Sequence, residues 1–164
     1  MAILETSQYA AQNAVGSTRS QVNVNDAGAK LRYFECDITF TGAPAVSDEI
    51  NFVRLPARHK IVLFQSFYKS SASWGVGAQM DIGYRAYTKE DGTTQAEENN
   101  AIIDNLDMTV TARTAIVTPL GTKADVMAQV ETLGRDSVVV YGTVRVDAPA
   151  AADTLKILFA VLTD

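Results

Sequence analysis

Side chains able to do chemistry are few in this chain, and their spacing is poor for catalysis. There is one histidine, His59, and one cysteine, Cys36. A single cysteine allows no internal disulfide and leaves a cysteine-based zinc site short of ligands. His59 stands between Arg58 and Lys60, close to Pro56, in what the sequence predicts to be an exposed turn or strand start. Cationic neighbours disfavour its protonation, which makes it a poor general base, so a surface role is expected. Gly75-Val76-Gly77 lacks the third glycine and the following helix of a dinucleotide loop, and no serine lies in a Gly-x-Ser-x-Gly setting. The acid pairs Glu90-Asp91 and Glu97-Glu98 do not alternate around a glycine as calcium-loop ligands do. The sequence therefore predicts no enzyme, no cofactor and no metal site.

Charge narrows the choice of partner. Between Thr88 and Asp107 six acids (Glu90, Asp91, Glu97, Glu98, Asp104, Asp107) face one base, Lys89, and this excess equals the formal net charge of −5. The segment reads either as a solvated acidic face or as a surface for a basic partner or cation. No basic stripe exists to neutralise phosphates, so nucleic acid is not an expected partner. No apolar run approaches the roughly 20 residues of a membrane span, and residues 1–10 lack a secretory pattern, so synthesis in a cytoplasm is expected.

The elements that would position any surface follow from periodicity. Residues 1–30 keep no sustained period, and their large apolar groups, among them Ile3, Leu4, Tyr9 and Val15, are widely spaced. Such a segment buries too little to order by itself. It reads as an extended N-terminal arm, either frayed or ordered on a neighbouring subunit. From residue 31 onward the period becomes two, the mark of half-buried strands. In Arg32–Phe40, Phe34, Cys36, Ile38 and Phe40 share one face, which makes Cys36 a small core hydrophobe. Further strands are predicted over Glu49–Leu55, Lys60–Tyr68, Met80–Ala86, Met108–Val117, Ala124–Thr132, Ser137–Val146 and Thr154–Thr163. The pattern Thr94-Gln95-Ala96-Glu97 fits a capping box, so one short helix is expected over Gln95–Asn105. The fold class is all-β: a jelly roll or sandwich of seven or eight antiparallel strands over 31–164, preceded by the arm 1–30.

Two strands do not alternate cleanly. In Thr154–Leu162, Leu155, Ile157, Phe159 and Val161 oppose Leu158, Ala160 and Leu162; in Ser137–Val146, Val138, Val140, Val144 and Val146 oppose Val139 and Tyr141. A strand that is apolar on both faces must be covered on both. Either the helix and arm cover the second face, or another copy does, and a closed ring such as a trimer is the expected form. The predicted contacts are Ile3, Leu4, Tyr9, Val15, Leu158, Leu162 and Trp74. Trp74, in a loop of small residues, reads either as an anchor in a neighbour's pocket or as the closure of its own sandwich.

The run Asp48-Glu49-Ile50-Asn51-Phe52-Val53-Arg54-Leu55-Pro56-Ala57, then Lys60-Ile61-Val62-Leu63, then Met80-Asp81-Ile82-Gly83-Tyr84, resembles virion structural proteins of tailed bacteriophages. The resemblance spans residues 45–87, and its motifs describe strands and a turn. It implies a decoration or cement protein on the outer surface of the head. Such a protein would contact the major capsid protein and further copies of itself, with no nucleic acid or membrane partner. The acidic segment 88–107 departs from that pattern. The same layout suits a tail or neck component. A carbohydrate-binding adhesin would instead need an exposed aromatic cluster, for which Trp74, Tyr68 and Tyr87 are the candidates.

Overall fold

Alternating apolar side chains set the strands, and the strands form two facing sheets around one core. The computed structural model describes residues 3–5, 30–116, 120–124, 129–132 and 134–163. In chain order the strands are β1 (Ile3–Glu5), β2 (Lys30–Thr39), β3 (Glu49–Pro56), β4 (His59–Val62), β5 (Phe67–Ser70), β6 (Gln79–Tyr84) and β7 (Tyr87–Thr88). There follow β8 (Thr94–Gln95), β9 (Glu98–Asp107), β10 (Thr114–Ala115), β11 (Gln129–Thr132), β12 (Ser137–Val146) and β13 (Thr154–Thr163). One sheet runs β1-β3-β12-β6-β9; the other runs β10-β5-β13-β4-β11 with β2 on the far side of β13; β7 and β8 make a small hairpin. Phe52 of β3 and Phe159 of β13 meet across the core with ring centroids 6.1 Å apart. The protein is all-β.

Several expectations need correction. The helix predicted over Gln95–Asn105 is strand: β8 ends at Gln95 and β9 pairs antiparallel with β6. Glu97, read as the return half of a capping box, binds Arg85 instead. The buried run Ala101-Ile102-Ile103 suits a bulged strand, because both sides of its backbone find partners. Ile103 is in register with Ile82, while the carbonyls of Asn100, Ala101 and Ile102 accept from Thr122, Lys123 and Gly121. A short apolar stripe does not distinguish the two structures by itself.

The strand predicted over Lys60–Tyr68 is broken into β4, a 3-10 turn at Leu63–Gln65, and β5. Ser66 fills the gap in the ladder: its hydroxyl donates to the Val62 carbonyl (2.9 Å) and accepts from the Ala160 amide (3.0 Å). Tyr68 points into the core and Phe67 points out. Of Met108–Val117, only Thr114–Ala115 is strand among the described residues. Of Ala124–Thr132, residues 125–128 lie outside the described set and Gln129–Thr132 is strand. The described strand pairs within 31–164 are antiparallel as expected, and β1, from the segment 1–30, runs parallel to β3 at the sheet edge.

His59 is buried, not exposed. The positive φ of Arg58 (51°) turns the chain so that Arg58 faces solvent, where it pairs with Glu90, while His59 faces inward. Its Nδ1–H donates to the Pro56 carbonyl (2.8 Å), leaving Nε2 to accept from the Thr132 hydroxyl (2.8 Å). Both ring nitrogens are thus satisfied in the neutral form, and burial lowers the pKa to about 4. Cys36 is in the core as expected, and burial pushes its thiol well above the ordinary range.

The resembling motif now has a physical reading. Asp81 Oδ1 accepts from the Asn105 amide (2.8 Å), Gly83 lies directly under the β9 backbone, and the Tyr84 hydroxyl reaches Glu98 (3.5 Å). Asn105 itself has a positive φ of 61°. Asp81, Gly83 and Tyr84 all serve one task, which is to seat the bulged strand β9 on β6.

Candidate interaction surface

Strand β13 carries the question of partners because it is central in its sheet and apolar on both faces. Leu155, Ile157, Phe159 and Val161 are buried in the core. The other face is set by register: Leu158 lies between Glu35 and Phe67, Ala160 is opposite Tyr33, and Leu162 lies between Leu31 and Lys60. Leu31, Tyr33, Phe67, Leu158 and Leu162 form an apolar row on the outside of the sheet, with Ala160 buried in its middle. Tyr33 is 53% exposed and Leu31 38% exposed, while Leu158, Leu162 and Phe67 are half-buried. No helix forms over Gln95–Asn105 to act as a lid, and Phe67, Leu158 and Leu162 remain only half-buried.

Charged groups frame the row. Lys156, next to Leu158 on the same face, reaches Glu35 (3.7 Å) and Asp37 (3.9 Å). Lys60 reaches Glu131 (3.6 Å) at the other end. The Arg113 guanidinium stacks over the Phe67 ring, 3.9 Å from its centroid, and helps to line a shallow hollow of about 260 Å³ with Phe67, Leu158 and Lys156. An apolar centre with a charged rim that also holds a stacked arginine is the usual composition of a protein–protein contact.

The second two-sided strand, β12, behaves differently. Tyr141 and Val139 are buried on its outer face. Arg85 lies over the Tyr141 ring (4.0 Å to the centroid) and binds Glu49 (2.6 Å) and Glu97 (3.3 Å), while the Tyr141 hydroxyl donates to Glu97 (3.2 Å). The segment entering β9 therefore covers β12 within the chain. On the outer face, Val139 and Tyr141 of β12 are buried, whereas Leu158 and Leu162 of β13 are only half-buried.

The other predicted contacts are dispersed. Ile3 is exposed on β1, and Leu4 packs against the core from the sheet edge. Tyr9 and Val15 lie outside the described residues. Trp74 is buried: its ring meets Phe40 edge-on at 5.8 Å, and its indole N–H donates to Ser70 Oγ (2.9 Å). Of the two readings of Trp74, closure of its own sandwich describes the structure, because an enclosed ring cannot reach into a neighbour. Tyr68 is also buried, with its hydroxyl donating to the Asp107 carbonyl (2.7 Å), and Tyr87 packs on Tyr84. The exposed aromatic cluster that an adhesin would need is not formed by these three residues.

Among the described residues no three His, Cys, Asp or Glu side chains come together to hold a metal ion. No described helix is long and apolar enough to cross a membrane.

This geometry has counterparts among solved structures. A chain in a structure titled "Capsid of Ralstonia phage GP4" superimposes with a TM-score of 0.67 at 17% identity, covering 99% of both chains. The fold is shared. A chain in "Cyanophage Pam1 capsid asymmetric unit" matches with a TM-score of 0.50 at 13% identity, covering 93% of this chain and 99% of that one. No protein-family model matches the sequence, and no curated protein matches it.

Proposed function

We propose that the chain is a structural protein of a tailed-phage virion, a non-enzymatic subunit that decorates or cements the outside of the head. The observation that carries this reading is the partly exposed apolar row of Leu31, Tyr33, Phe67, Leu158 and Leu162 on β13 and its neighbours. The shared fold with chains from two phage capsid structures supports it. Fully burying one such side chain is worth about 1.5–3 kcal/mol. Several buried together offset a single entropic penalty of association. Copies of the chain assemble into a closed ring, a trimer, and contact the major capsid protein or other virion subunits. Residues 1–30 act as an arm that adds contact area on a neighbour. The subunit is made in the host cytoplasm and ends on the head surface.

Two measurements test this reading. Mass spectrometry of purified particles is expected to find the chain, and its absence from particles would reject the virion role. Sedimentation of the isolated protein is expected to give a trimer mass, and a single copy at high concentration would reject the association. The double substitution Leu158→Glu with Leu162→Glu is expected to shift the protein to single copies. It should change the unfolding midpoint little, because both side chains are only half-buried. Removing residues 1–30 takes away the short strand β1 and the Leu4 contact, so a modest loss of stability is expected together with weaker attachment to particles. Attachment as tight as that of the full chain would remove the arm from the mechanism.

A further inference from the structure

The outer face of the opposite sheet has a second feature, of different chemistry. Glu49 on β3, Tyr141, Thr143 and Arg145 on β12, and Glu97 and Glu98 at the entry to β9 line a polar cleft of about 440 Å³. Most of its charges are already matched one to one. Glu98 pairs with Lys123 (3.6 Å), and Asp81, just below, pairs with Arg145 (3.1 Å). Glu49 and Glu97, however, share the single guanidinium of Arg85, which also donates from Nε and Nη2 to Asn51 Oδ1. Two carboxylates against one cation leave one negative charge unmatched.

A second observation is independent of charge. Thr143 is only 7% exposed, its register places it beside Glu49 and Asp81 on the cleft face, and its hydroxyl has no hydrogen-bond partner among the described residues. A buried hydroxyl without a partner is destabilising, and valine would fill the same volume without that penalty. Glu49 Oε2, also buried, meets Arg85 without a well-formed hydrogen bond.

We propose that this cleft receives the side-chain ammonium of a lysine presented by a neighbouring protein subunit. An ammonium supplies the missing positive charge at one compact point, and its three N–H donors match the Glu49 carboxylate, the Glu97 carboxylate and the Thr143 hydroxyl. The absence of a metal-holding cluster among the described residues favours an organic cation over a metal ion. The identity of the donor as a protein subunit rests on the virion reading above; the chemistry of the cleft does not.

The test uses the full chain and two salts of equal charge, n-butylammonium chloride and tetramethylammonium chloride, titrated at constant ionic strength. The Tyr141 ring signals serve as the NMR reporter. A saturable shift is expected with n-butylammonium and none with tetramethylammonium, which has no N–H donor. Glu97→Gln and Thr143→Val should each weaken binding by about tenfold, and Thr143→Val should unfold no earlier than the parent. Equal responses to both salts, no saturable response, or tighter binding of methylguanidinium would each overturn the proposal. Failure of the titration with a chain found on particles rejects the cleft alone. Saturable binding by a chain absent from particles rejects the virion reading alone.

Discussion

Replacing Gly83 by alanine is expected to remove about 3 kcal/mol or more of folding stability, measured as a fall in the urea midpoint at unchanged slope. A Cβ on Gly83 would come within 2.6 Å of the Asn99 carbonyl carbon and 2.7 Å of its oxygen, and closer still to the Glu98 carbonyl. These are backbone atoms, so no rotamer change relieves the clash. β9 would have to lift from β6, breaking the Asp81–Asn105 contact and exposing Ile102 and Ile103. Gly42 is the control. A Cβ there meets nothing within 4 Å, and Gly42→Ala should change stability by no more than about 0.5 kcal/mol. An alanine at 83 as stable as one at 42 would mean that β9 does not cross where the structure puts it.

Protonation of His59 should weaken the fold in acid. His59 is the chain's only histidine, and burial lowers its pKa from 6.5 to about 4. Above pH 6.5 the ring is neutral in both folded and unfolded chains and contributes no pH dependence. As pH falls from 6.5 toward 4 the unfolded chain takes up the proton first, so stability declines across that window and levels off below it. The full loss from this site is about 3 kcal/mol. Asp81 works in the opposite direction, because burial raises its pKa and a carboxyl protonated earlier in the fold gains relative stability in acid. Urea titrations at pH 7 and pH 5 on the parent and on His59→Gln separate the two. The parent should lose stability over that interval and the variant should lose far less; equal slopes would place His59 in water.

Much of the β-architecture can be read from alternation, and the failures have identifiable causes. β2 and β13 are long, regular strands whose inward and outward residues fall where period two puts them. β9 is disguised, because Thr94 and Glu97 have helix-capping spacing while the side chain of Glu97 is drawn away by Arg85, just after β6. The interruption at Ser66 leaves no mark either, since serine is an ordinary strand residue until its hydroxyl stands in for a ladder partner. The interaction surface was half legible. β12 and β13 look equally greasy, yet one is covered by the segment from Arg85 to Glu98 and the other is not. That difference depends on which part of the chain crosses which sheet. The polar cleft was not legible at all, because Glu49 on β3, Arg85 after β6, Glu97 before β9 and Thr143 on β12 come from separate segments of the chain. The nearest signal was the acidic excess of 88–107, which identifies the charge but not its counter-ion.

The pairing of β2 with β13 has a consequence for how the molecule is made. The two strands are in register over all ten residues, from Lys30 opposite Thr163 to Thr39 opposite Thr154. An early strand therefore waits for one of the latest before its edge is satisfied, and until then the unpaired ladder of β2 is open to any extended segment nearby. Long-range pairing of this kind places folding in the millisecond-to-second range. During that interval a nascent chain on a crowded ribosome cluster is most exposed to mispairing, and lower growth temperature should raise the yield of properly paired protein.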